Sequence, residues 1–366
     1  MIFKLSTLLF KNICISMIEV INYITRRYNV KIYDNNILNS ENLFINITDE
    51  LVNFINQCKF SYVIWQNLEE VKKIDLIYNK NVINFCVNKE VHNFLKSKNI
   101  ENSYIDNTDD FTIYNYRSNF CSKKNISLLI SGFTRTFCKT YKSLLEFINN
   151  NDEYNFDLYL LIHTKQDNGK NKKIKSNFYR DIRYLDHFNV KFVIYKKYGE
   201  IDSANMNYWG QFYFVNYLYN SYCKYIDLNK ISYDLIIRSR YDITINNYKI
   251  KPVNFYKKKI VVPKRYFWGY SKELNLIKPI IWDNLSNDKI NKLVEESYII
   301  NDKFAIGTPK LMDKYLSYGS NQREVSDFVL RNYKISSTEG NLAYYLKNNN
   351  IDFFIDWSLN CSLCRC

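Results

Sequence analysis

Along the chain, short apolar runs alternate with longer stretches whose apolar residues recur at helical spacing. Runs at 30–33, 62–65 and 82–87 are rich in β-branched and aromatic residues and predict strands. Residues 15–26, 49–57 and 89–98 predict helices, with Asn88 as N-cap of the last. The alternation predicts a small α/β layer with a mainly parallel sheet. A polar stretch from Asn107 to Asn125 interrupts the pattern and marks a boundary, giving domains 1–120 and 121–366. Beyond it strands are predicted at 126–130, 156–162, 191–195, 233–243 and 259–263. Helices are predicted at 138–149, 178–185, 209–225, 310–318 and 340–348. The second part is therefore also α/β, within the usual size of a domain.

Composition narrows the class. The 366 residues are 46% hydrophobic and 24% charged, enough for packed cores in about two domains. With only 8 Gly and 4 Pro, loops must be built from Asn, Asp, Ser and Lys. The net charge of +14 favours phosphate-bearing partners, whether nucleic acid, membrane or small nucleotide. Its local runs, Lys170 to Lys175 and Lys257 to Lys259, read as solvated loop charges, and no zinc-finger spacing supports specific nucleic-acid binding. Nine scattered Cys fit a reducing compartment, hence a cytoplasmic protein. The terminal Cys361-Ser-Leu-Cys-Arg-Cys366 reads as a frayed tail. The apolar start at Met1 to Lys11 is too short for a signal peptide with a clean cleavage site, and no run of about 18 apolar residues predicts a membrane span.

Five segments carry chemistry. In Asp234-Leu-Ile-Ile-Arg-Ser-Arg-Tyr-Asp242, period two puts Arg238, Arg240 and Asp242 on one face of a strand whose start is apolar on both faces. Charges leaving a buried strand need partners, and this trio sums to +1, so a diphosphate suits the guanidinium forks. The stretch 128–138 reads as strand, turn at Gly132 and helix start, with Thr134 and Arg135 placed to meet an anion. His163 ends another strand. Asp302, in Asn301-Asp-Lys-Phe-Ala-Ile-Gly307, is the right residue type to deprotonate a hydroxyl. Glu339 precedes the last helix, as a first-turn acid or a sugar ligand. Trp209 and Gln211 open the long helix, as core and cap or as donor contacts.

In order, these segments resemble the GT-A-like glycosyltransferases of bacterial polysaccharide clusters and large DNA viruses. The matching residues are Ser131-Gly-Phe-Thr-Arg-Thr-Phe137, Ile162-His-Thr164, Arg238 to Asp242, Asn301 to Gly307 and Glu339. The resemblance spans about residues 125–355 and implies a GT-A-like, Rossmann-type catalytic domain preceded by a small α/β domain of unassigned role. It implies a nucleotide-sugar donor and a glycan or other hydroxyl acceptor, with Gly132, Thr134, Arg135, His163 and Asp242 on the donor side, where Gln211 would join them from the long helix, and Glu339 on the acceptor side. Arg238, Arg240 and Asp302 would be catalytic. Many such enzymes hold Mn²⁺ or Mg²⁺ on an Asp-x-Asp motif. Here the strand reads Arg-x-Arg-x-Asp, so the diphosphate charge falls either to a metal on Asp242 or to the two arginines. An inactive nucleotide-sugar-binding scaffold and a basic nucleic-acid-binding protein are the alternatives that composition leaves open.

Overall fold

A computed structural model describes residues 31–32, 41–45, 60–65, 69, 71, 82–106, 111–116, 123–134, 136–163, 183–196, 206–264, 268–271, 276–279, 300–333 and 338–364. The helices expected at 15–26 and 49–57, the Lys170–Lys175 run and Arg135 lie outside those residues. The chain is mixed α/β and forms two compact units. One comprises Met1–Phe120 with Asn177–Asp186 and Val190–Lys196. The other comprises Cys121–Ser176, His187–Asn189 and Lys197–Cys366.

In the first unit, β1 (Lys31–Ile32), β2 (Glu41–Ile45), β3 (Phe60–Trp65), β4 (Val82–Cys86) and β5 (Asn102–Asp106) pair in parallel in chain order. Then β6 (Phe111–Tyr116) pairs antiparallel with β5 and with β9 (Val190–Lys196). The strand expected in the second domain at 191–195 thus joins the first. Helix α1 (Lys89–Ser97) starts at Asn88, whose side chain accepts from the Glu90 amide at 2.8 Å, and buries Val91 and Leu95. Trp65 is fully buried, its indole donating to Asn84 Oδ1 at 2.8 Å.

In the second unit the sheet runs β8 (Tyr154–His163), β7 (Lys124–Gly132), β10 (Leu235–Ser239), β15 (Ala305–Gly307), β12 (Lys259–Lys264), β16 (Asp352–Leu363), β11 (Ile243–Ile245). Strands β7, β8 and β10 are mutually parallel, and β15 is antiparallel to β10 and β12. A separate hairpin pairs β13 (Trp268–Ser271) with β14 (Leu276–Pro279). Ile126, Leu128, Leu129 and Ile130 of β7 are all buried, which requires cover on both faces. Helices α2 (Phe137–Asn149), α3 (Met206–Asn229), α4 (Pro309–Tyr333) and α5 (Thr338–Asn348) complete the unit. The chain also has 3-10 turns at Arg183–His187, whose residues up to Asp186 fall in the first unit, and at Val253–Tyr256. The first of these turns replaces the part of the helix expected at 178–185 that falls within the described residues.

Three further expectations change. The strand read as 233–243 ends at Ser239, then turns and resumes at Ile243. Helix α2 holds that turn: Thr140 Oγ1 donates to the Tyr241 carbonyl at 2.5 Å, and Ser143 Oγ bridges the Ile245 amide and carbonyl at 2.6 and 2.7 Å. The terminal Cys-rich stretch, expected to be frayed, is tied down as far as Cys364. Cys361 is buried in β16 opposite Ile245, and the Cys364 amide donates to the Asp242 carbonyl. Helix α4 runs to Tyr333, well past the expected end at 318. Its added turns contain Gly319, where a Cβ would stand 2.1 Å from the Phe212 carbonyl oxygen. Only glycine lets α4 lie this close to α3.

Candidate active site

The carboxyl ends of the parallel strands carry the predicted residues. Gly132 closes β7 at a φ of 137°, a left-handed conformation that costs a side chain dearly, and a Cβ there would touch Tyr241. Thr134 follows, buried, and its carbonyl accepts the first amide of α2 at 2.7 Å. One strand over, His163 ends β8 with its ring packed 4.8 Å from Phe133 and 4.0 Å from Phe214 of α3. Burial pulls the His163 imidazole down to about 3, so it is neutral at physiological pH.

Beyond β10 the three charges separate into two roles. Arg240, in the turn, grips Asp242 with Nε on Oδ1 and Nη2 on Oδ2, both at 2.7 Å. Burial works against the Arg240 charge, but the paired Asp242 outweighs it, and Asp302 and Glu339 add to it, so the guanidinium is held above its ordinary range. Arg238 is still inside the ladder and only 1% exposed. Its Nη1 donates to the Asp302 carbonyl, and its guanidinium lies 5.8 Å from the Phe212 ring centre. Burial lowers its affinity for the proton, with Tyr315 and Asp302 acting against that. The surplus positive charge expected of the trio is thus met by Asp302 and Glu339, brought in from elsewhere in the chain.

Asp302 sits in a turn stabilised by Asn301 Oδ1, which accepts from the Lys303 amide at 3.0 Å. The turn leads into β15, whose Ala305 stands opposite Arg238. Gln211, in the first turns of α3, joins the pieces: its Oε1 accepts from Arg240 Nη1 at 3.0 Å and its Nε2 donates to Asp302 Oδ2 at 3.1 Å. Asp302 Oδ1 accepts no hydrogen bond among the described residues. Glu339, half-buried in the first turn of α5, acts on Arg240 through its charge. Trp209 lies in the first turn of α3, and its side chain is outside the described residues.

Sequence reasoning missed the aromatic floor. Tyr315 and Tyr318 of α4 are fully buried around Phe212, with ring centres at 6.4 and 4.9 Å, and both interact electrostatically with Asp302. The signal was present in the spacing of Met312, Tyr315, Leu316 and Gly319, a helical stripe running past the point where the helix was expected to stop.

Among solved structures, the chain is similar to one described as the crystal structure of a glycosyltransferase involved in the glycosylation of the major capsid of PBCV-1. Identity is 11%, covering 63% of this chain and 82% of that one, with a TM-score of 0.30. No family model and no curated protein matches the chain.

Proposed function

We propose that the chain is a glycosyltransferase that moves a sugar from a nucleotide-sugar donor to a hydroxyl on a glycan or similar acceptor, through a GT-A-like second domain. The observation that carries this reading is the relay Arg240–Gln211–Asp302. It joins by hydrogen bonds three residues singled out separately, at the carboxyl edge of a parallel α/β sheet, where ligands bind in such folds.

In this reading the donor lies along Gly132, Thr134 and Arg135, with neutral His163 packing beneath it. Asp302 is the base: Gln211 fixes Oδ2, leaving Oδ1 to take the proton of the acceptor hydroxyl. The acceptor oxygen then bonds to the anomeric carbon while the bond from that carbon to the diphosphate oxygen breaks. Arg240 stabilises the negative charge developing on the leaving diphosphate. Glu339 faces the acceptor side. Arg238 holds the Asp302 main chain and so positions the base.

A divalent ion does not suit these residues. Both Asp242 oxygens are taken by Arg240, and no group of three or more His, Cys, Asp and Glu suited to a metal occurs among the described residues. No step is therefore assigned to a metal.

The test is a panel of nucleotide sugars scored by thermal shift and by slow donor hydrolysis. One class of donor should raise the melting temperature and be hydrolysed. Asp302→Asn should keep the shift and slow hydrolysis by about 100-fold or more. A shift without hydrolysis, with Asp302→Asn indistinguishable from wild type, would show an inactive scaffold. No shift with any donor, alongside tight polynucleotide binding, would refute the reading.

A further inference from the structure

Most buried polar groups in folded proteins have partners. Beside Asp302, several do not. Arg238 Nη1 is used, but Nε and Nη2 find no acceptor among the described residues, although the side chain is wholly buried. The hydroxyls of Tyr315 and Tyr318 are also without partners there, and Tyr315 exerts the largest charge effect on Arg238. Arg240, by contrast, spends its own Nε and Nη2 on Asp242.

The identity of the open atoms matters. Nε and Nη2 form one edge of the guanidinium, with two parallel N–H bonds at the spacing of two oxygens of a carboxylate or phosphate. A single water oxygen would have to be shared by both N–H bonds, whereas an oxyanion offers each its own oxygen, and phenol hydroxyls can donate to its remaining oxygens. The cost of leaving a buried guanidinium edge without an acceptor is high, which argues for an occupant.

We propose that the Nε–Nη2 edge of Arg238, with the hydroxyls of Tyr315 and Tyr318, is a recessed oxyanion-binding subsite behind Asp302. The ligand is a small protruding oxyanion, and its two sources are the terminal phosphate of a nucleoside diphosphate and the carboxylate of an acidic sugar. In either case the subsite belongs to the same cleft as the glycosyltransferase reading, but it needs only binding, not turnover, to be real.

The test uses the full-length chain with ¹⁵N-labelled arginine. Inorganic phosphate, uridine diphosphate, acetate and glucuronate are added separately, and the Arg238 Nε–H resonance is followed together with the melting temperature. Arg238→Lys, which keeps the charge and loses the fork, assigns the resonance. At least one oxyanion should move that resonance saturably, and Tyr315→Phe should weaken its binding about tenfold while the protein stays folded by circular dichroism. Tyr219→Phe, whose hydroxyl bonds Asp313 at 3.0 Å away from this cluster, should bind as wild type does. A response to phosphate and uridine diphosphate alone identifies the donor end. A response to acetate and glucuronate alone identifies an acidic sugar. If no oxyanion moves the resonance at tens of millimolar, or if Tyr315→Phe binds as tightly as wild type, the subsite does not exist. Nucleotide-sugar hydrolysis in that same preparation would leave the enzymatic reading standing without it.

Discussion

The sheet of the second unit buries polar side chains at both ends, and the two ends are finished differently. At the amino end, Asp157 accepts from Tyr233 at 2.6 Å and from Asn189 Nδ2 at 2.6 Å, one on each carboxylate oxygen. A phenol has one proton, so Tyr233, having given its own to Asp157, takes that of Tyr159 at 2.5 Å. Ser127 meets Tyr222 alongside at 3.1 Å. Burial drives the phenols of Tyr159 and Tyr233 far up, so this end stays uncharged on every tyrosine. At the carboxyl end, Arg238, Tyr315 and Tyr318 are equally buried and keep open donors. One end is closed on itself and serves stability. The other stores unmet hydrogen-bonding capacity, the property expected of a place that receives something.

The largest way to break this contrast is Gly319→Ala. The added methyl collides with the Phe212 main chain, so α4 must move off α3 and carry Tyr315 and Tyr318 away from Arg238. A loss of about 3 kcal/mol is expected in urea unfolding, with donor binding lost too. Next, Tyr233→Phe removes a hydrogen bond donated to a buried carboxylate and should cost about 2 kcal/mol, with donor binding unchanged. His163 gives an effect of similar size that depends on pH. Its folded pKa lies near 3, below the unfolded value of about 6.5. The unfolded chain therefore binds a proton first, and the stability present above pH 6.5 drains away as pH falls toward 3. At pH 5 wild type should have lost about 2 kcal/mol relative to His163→Gln, each referenced to its own value at pH 8. The smallest expected effect is the sharpest: Tyr315→Phe in the absence of ligand should cost nothing, or stabilise by up to about 1 kcal/mol, because it removes a hydroxyl that has no partner among the described residues. The same chemical change at 233 and at 315 thus separates the two ends.

Much of this was legible along the chain. Strands β7, β8 and β10 are dense in Ile and Leu, and such runs announce themselves. Their ends pointed to Gly132, His163 and Arg238 because polar residues leaving an apolar strand need a reason. The break after Ser239 was not legible, because it is imposed by Thr140 and Ser143 on a helix about 100 residues earlier. The division of labour between Arg238 and Arg240 follows from that break and was hidden with it. The closed end was invisible too. Asp157 sits within Phe156-Asp-Leu158, and nothing local reveals that Tyr233 and Asn189 will answer it.

The first unit's claim on Val190–Lys196 has a practical consequence for cutting the chain. A fragment starting at Cys121 looks like the natural way to isolate the second domain. It would still contain β9 but would lack β6, which pairs with β9 from Phe111↔Tyr195 to Tyr114↔Phe192. Such a fragment exposes the peptide groups of an apolar strand along one edge, an invitation to stack with other copies. The expression boundary suggested by the primary structure is therefore a recipe for precipitation, and the two halves have to be made as one polypeptide.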